Sequence, residues 1–253
     1  MYIGESNINI VFFVVVGLLG LLVGRITDWA IMCLPDEKRV FSKDFFKKYL
    51  KVRKTNYILE FLIAGIYILL LYLKSFNDSI LSTIDLVKYM CLTPMLIAVF
   101  VIDFKKQIIP NRLNLTIFEA GLLFALATSL YQVNLGIDML IGGLIGAGIF
   151  LVITLVGGLI AGKNAIGFGD VKLMAGLGIF FGQEYRIVMV ALIAFVLGAI
   201  TSIFLLITKK KKKDEYIAFG PFIVIASFIV MTVPFETLTY SLFKIFTLGM
   251  YSG

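Results

Sequence analysis

The stretch Leu96-Ile-Ala-Val-Phe-Val-Ile-Asp103-Phe-Lys-Lys-Gln-Ile-Ile-Pro110-Asn111 joins an apolar run to a short basic loop through a single aspartate. The run reaches back to about residue 86 and approaches the ~20 residues that cross a bilayer. An acidic side chain at the centre of such a helix costs roughly 2.5–3.5 kcal/mol. One kept at a span end is therefore a candidate for chemistry. A second aspartate, Asp170, lies in Gly167-Phe-Gly-Asp170-Val-Lys172, again where an apolar stretch meets a basic loop.

Working outward, further apolar runs fall near residues 8–24, 56–74, 114–131, 136–161, 187–208 and 216–234, with a shorter Gly-rich run at 173–182. Counting that run, the chain reads as an all-α polytopic membrane protein of about eight transmembrane helices in one domain, 1–253. The bulk composition agrees. Hydrophobic residues make up 60% of the chain and charged residues 15%, against about 25% charged in a soluble domain.

The basic residues assign a direction. Loops 25–54, 103–112, 162–172 and 209–215 alternate along the chain and hold 19 of the 23 Lys and Arg residues. The positive-inside rule puts these loops in the cytoplasm and the N-terminus outside. The first apolar run carries Glu5 ahead of it and its basic cluster behind, the pattern of an uncleaved anchor. Segment 35–54 interleaves aromatic and aliphatic residues with Lys and Arg, as an amphipathic stretch on the inner membrane surface does. Lys209–Lys213 reads as a topology signal. The net charge of +7 is thereby explained without nucleic acid. Gly142 and Gly146 stand at the small-xxx-small spacing of closely packed membrane helices.

With this direction Asp103 and Asp170 emerge on the same, cytoplasmic, face. The chain has no histidine, which removes Ser-His-Asp, Cys-His and His-metal chemistry. Its two cysteines, Cys33 and Cys91, are too few for a metal knuckle and read as buried small hydrophobes, so no metal site is expected. Hydrolysis by two carboxylates sharing one proton stays available: one activates water and the other polarises the carbonyl. The pair titrates as a unit. Gly167 and Gly169 would free the backbone beside Asp170 and admit a neighbouring chain. Pro110 would end the preceding span. Lys172 reads equally as a group that biases Asp170 or holds a substrate carboxylate, and as a loop charge.

These residues resemble the type IV prepilin peptidases, membrane aspartic proteases with a Gly-x-Gly-Asp motif. Asp103 with Pro110-Asn111 and Leu113 is similar to the family's Asp-x6-Pro-(Asp/Asn)-x-Leu. Gly167-Phe-Gly169-Asp170-Val-Lys172-Leu173 is similar to Gly-x-Gly-Asp-x-Lys-Leu. Phe219-Gly220-Pro221-Phe222 resembles Phe-Gly-Pro-(Phe/Tyr). Weaker echoes are the Gly24–Pro35 spacing, Tyr57-Ile-Leu-Glu60, and Asp138 with Gly142-Gly143.

The resemblance implies a multi-pass endopeptidase of the inner cell membrane. Its members cut the basic leader from type IV prepilins or pseudopilins at the cytoplasmic face, after a glycine and just before the substrate's hydrophobic helix. It gives Asp103 and Asp170 as the catalytic pair and Gly167 and Gly169 as the motif that positions the second. Pro110, Asn111 and Lys172 support the motifs. Proteolysis of this kind takes no cofactor. Partners are the prepilin and membrane lipid.

Many relatives also methylate the new N-terminus with S-adenosylmethionine and carry two Cys-x-x-Cys pairs in the first cytoplasmic loop. Here loop 25–54 has none, Arg25 stands for the usual Ser and Asp28 for Asn, so methyl transfer stays open. Two other readings compete: a small proton- or cation-coupled transporter, which would place acids nearer span centres, and a protease that cuts within membrane helices.

Overall fold

A computed structural model describes residues 10–36, 40, 57–74, 79–161, 167–182, 186–208 and 217–246. Among these residues every long element is an α-helix, the one open-ended structure whose backbone groups are all satisfied internally in hydrocarbon. The helices are α1 (Ile10–Cys33), α2 (Tyr57–Lys74), α3 (Ile80–Lys106), α4 (Asn111–Ser129), α5 (Val133–Ala161), α6 (Phe168–Phe181), α7 (Arg186–Ile207), α8 (Gly220–Thr232) and α9 (Phe235–Phe246). Most of segment 35–54 and Lys209–Lys213 lie outside the described residues.

Among the described residues, five helices are long and apolar enough to cross a membrane: α1, α2, α3, α5 and α7. A sixth span results if α8 and α9 count together, although the chain bends by 119° between them. The protein is thus polytopic and all-α, but two of the runs behind the count of eight fall short. Helix α4 carries Asn111, Arg112, Asn114 and Glu119 within its 19 residues. Helix α6 has 14 residues, about 21 Å at 1.5 Å per residue, below the ~30 Å hydrocarbon thickness. Most of α6 is buried, including Leu173, Met174, Leu177, Phe180 and Phe181. It runs inside the bundle, flanked by α5 and α4.

Glycines bring the backbones of α5 and α6 together. Gly142 and Gly146 meet α6 at Gly178, Gly182 and Met174, the close packing expected from their spacing. A Cβ on Gly178 would be driven into the Gly142 carbonyl oxygen, a backbone atom that no rotamer change can move. Gly178→Val should therefore part the two helices and destabilise the protein by at least the ~1–3 kcal/mol of an overpacked core. Thermal unfolding in detergent checks this; an unchanged midpoint would show that α5 and α6 tolerate separation.

Helix α3 runs longer at both ends than its apolar core suggested. Pro94 inside it cannot donate to the carbonyl of Met90. The Tyr67 hydroxyl of α2 donates to that carbonyl at 2.8 Å, and Thr93 Oγ1 donates to the Tyr89 carbonyl. The orphan acceptor is thus filled by a neighbouring helix. At its other end α3 passes Asp103 and stops at Gln107, which adopts the left-handed conformation (φ 55°, ψ 35°) and returns its N–H to the Asp103 carbonyl at 2.9 Å. Gln107, not Pro110, terminates the helix. Pro110 instead caps α4, its carbonyl accepting the Leu113 and Asn114 N–H groups.

Helix α1 likewise continues past the run at 8–24, through Arg25, Thr27 and Asp28. Thr27 and Asp28 are buried, and Arg25 Nε donates to Glu60 Oε1 of α2 at 3.3 Å. Polar side chains that look like loop residues are accommodated because α2 covers this face. Both cysteines are free thiols within the bundle.

Candidate active site

Five helix ends converge at one pole of the bundle: the C-termini of α1 and α3 and the N-termini of α4, α6 and α8. Lys106 of α3 donates to Asp36 beyond α1 at 3.4 Å, Asp103 joins α3 to α8, and Asn111 and Asn114 join α4 to α6. Both aspartates are 3% exposed. Asp103 sits in the last turn of α3, and Asp170 in the first turn of α6. Neither faces headgroups as a plain helix cap would. The structure brings them within Coulombic range of each other.

Their surroundings differ. Asp103 Oδ2 accepts the backbone N–H of Gly220 at 2.9 Å. Gly220 opens α8, and the unsatisfied N–H groups and positive dipole end of a helix N-terminus favour an anion there. A Cβ on Gly220 would stand 2.5 Å from Asp103 Oδ2, so only glycine lets the carboxylate this close. Asp170 has a freer carboxylate: its Oδ1 is buried with no hydrogen-bond partner among the described residues. A buried acceptor without a donor is costly and marks a place for a water or substrate proton.

The supporting residues play parts other than those read from sequence. Gly167 caps α6 in an ordinary extended conformation (φ −71°, ψ 145°), its carbonyl accepting the Asp170 and Val171 N–H groups. A Cβ on Gly169 would meet Ile109 at 3.4 Å, ordinary contact. Neither glycine occupies a conformation closed to other residues. What Gly169 contributes is its carbonyl, which accepts Asn114 Nδ2 at 3.0 Å. Lys172 Nζ donates to Asn111 Oδ1 at 2.8 Å, tying the Pro110-Asn111 motif to α6. It turns away from Asp170, as positions two apart on a helix do.

A family model described as the type IV leader peptidase family matches residues 90–203. The leader peptidase HopD of Escherichia coli is 33% identical over 147 residues, 57% of this chain and 90% of that protein. The chain belongs to the type IV leader peptidase family. The prepilin leader peptidase/N-methyltransferase of Aeromonas salmonicida strain A449 is 34% identical over 140 residues, covering 55% of this chain and 47% of that one. That of Escherichia coli K12 is 31% identical over 129 residues, covering 51% and 55%. The chain thus spans about half the length of the prepilin leader peptidase/N-methyltransferases it matches. No solved structure matches it.

The family match takes in Asp103, Pro110, Asn111, Gly167, Gly169, Asp170 and Lys172 but ends before Gly220. Two residues that the structure places at this candidate site, Gly220 and Asn114, were not singled out as site residues from the sequence. Gly220 had a signal, the Phe219-Gly220-Pro221 motif. Its neighbour Phe219 packs against Phe150, Phe195 and Phe222 at ring distances of 5.3–5.9 Å, pinning the start of α8. Asn114 had none, since its role depends on α4 lying beside α6.

Proposed function

We propose that this chain is a membrane aspartic endopeptidase that removes the leader from type IV prepilins or pseudopilins. One observation carries it: two buried carboxylates from separate motifs lie at one pole, Asp103 gripped by the start of α8 and Asp170 with an oxygen that has no hydrogen-bond partner among the described residues. In this reading the two carboxylates share one proton, because like charges brought together cannot both ionise. The ionised member takes a proton from water, which attacks the scissile carbonyl. The protonated member polarises the carbonyl oxygen and then protonates the leaving amine. The reading needs no cofactor for these steps.

The converging pole is read as cytoplasmic from the clustering of basic residues there, with the N-terminus outside and the short, buried α6 counted among eight membrane-embedded helices of one domain. Glu60, an acid within α2, is paired with Arg25 instead of standing ready to carry a proton or cation, which favours the peptidase over the transporter.

Mass spectrometry of a co-expressed prepilin tests the proposal. The expected product begins at the residue after the leader's terminal glycine. The same spectrum shows whether its new amino group carries a methyl, and hence whether S-adenosylmethionine serves this chain. An intact leader, with the protein correctly inserted, would overturn the proposal. A cut inside the hydrophobic segment would mark an intramembrane protease instead.

A further inference from the structure

A depression of about 410 Å³ lies between α4 and α6, lined by Asn111, Asn114, Leu115, Phe118, Lys172 and Ala175. The four α4 positions follow i, i+3, i+4, i+7 and form one face. The depression begins at the pole, where Lys172 is bonded to Asn111, and its accessible surface is apolar, running along Leu115, Phe118 and Ala175 away from it. Leu115 is 55% exposed, so this flank opens sideways, where lipid or another membrane segment would lie. Asn114 is 3% exposed and binds the carbonyl just before Asp170. Its Oδ1 is a buried acceptor with no partner among the described residues.

We propose that this groove receives the first residues of the substrate's apolar segment after the scissile bond, with Asn114 Oδ1 accepting a substrate backbone N–H. The inference rests on the peptidase reading. An apolar segment in a bilayer is helical, and its N–H groups are satisfied within it. A dyad can attack only a peptide that has been pulled out of that helix. The N–H groups freed next to the cut then need acceptors that hydrocarbon does not supply. Asn114, bonded to the carbonyl of the residue before Asp170, offers such an acceptor at the catalytic end of an apolar trough. A lipid acyl chain could fill the same space but has no N–H to donate, so the orphan acceptor favours a peptide occupant.

The test places a photo-crosslinking phenylalanine analogue at Leu115, and separately at the exposed Leu123 of α4, in an Asp170→Asn background with co-expressed prepilin. Adducts at position 115 should map to the first two turns after the cut and be absent at position 123. In the active enzyme, Leu115→Trp should raise KM for prepilin about tenfold with kcat changed less than threefold. Synthetic prepilins in which an ester replaces one amide just after the cut lose a single N–H. At one position this should weaken binding to the wild type severalfold and leave binding to Asn114→Leu unchanged. Lipid-only adducts at position 115, or an unchanged KM in Leu115→Trp, would overturn the groove assignment. Both results are distinguishable from failure of the peptidase reading, in which the wild type leaves the leader in place.

Discussion

Asp170→Asn should insert into the membrane at wild-type levels and lose leader removal altogether. The substitution keeps the side chain's size and removes only its ability to hold and release a proton. General acid–base catalysis contributes about 10²–10⁴-fold, and here the acid and the base share one proton, so losing either carboxylate disables both roles and a loss at or beyond the upper end is expected. The fold should not suffer. Asp170 Oδ1 makes no hydrogen bond to any described residue, and burying one carboxylate beside another is unfavourable. Asp170→Asn should therefore unfold at the same temperature or higher, the stability-for-function exchange expected of strained sites. Asp103→Asn should be equally inactive while keeping an oxygen that can accept the Gly220 N–H. Processing rates and detergent unfolding midpoints of both variants check these statements together. Full processing by either variant would remove the carboxylate mechanism. Inactivity with a sharply lowered midpoint would mean that the aspartates hold the fold instead.

Much of this site was legible because its chemistry is written in residue types that hydrocarbon excludes. Acids at span ends, the absence of histidine and the alternation of basic loops require no knowledge of tertiary contacts. Together they singled out Asp103 and Asp170 and placed them at one pole. What the sequence hid were consequences of packing. Apolar runs mark the lipid-exposed part of a helix but not its sheltered ends. Helix α1 therefore runs nine residues past the run at 8–24, and Asp103 lies inside its helix. Hydropathy also cannot distinguish a short helix that touches lipid from one enclosed by other helices, so α6 read as a span. The glycines of Gly167-Phe-Gly169-Asp170 suggested special backbone angles. Yet the closest approach in the site is at Gly220, more than a hundred residues from the aspartate it touches. Asn114 and the Lys172–Asn111 bond depend on α4 lying against α6, and no local pattern announces that pairing.

Gly220 carries the second large effect. Cβ atoms do not stand within 3.0 Å of a non-bonded heavy atom elsewhere in the fold, yet an alanine here would put one 2.5 Å from Asp103 Oδ2 and 3.1 Å from its Cγ. Something must yield. The start of α8 is held by Phe219 among three other rings, and Pro221 follows at once with its fixed φ. Asp103 has two side-chain torsions, and among the described residues its carboxylate has one hydrogen-bond anchor, the Gly220 N–H itself. The carboxylate is the part that swings, and in swinging it loses that bond. Misplacing a reacting group by about 1 Å costs on the order of 10² in rate. Gly220→Ala should therefore lower kcat about 100-fold, leave KM close to wild type and keep the protein in the membrane. Gly65→Ala on α2 is the matched control, because its Cβ would meet nothing within 4 Å and its rate should not change. If Gly220→Ala cleaves prepilin at the wild-type rate, Asp103 reaches its working position without the grip of α8. If Gly220→Ala fails to accumulate while Gly65→Ala does, it is α8 that yields, and the start of that helix is then a structural joint of the bundle before it is a clamp on the dyad.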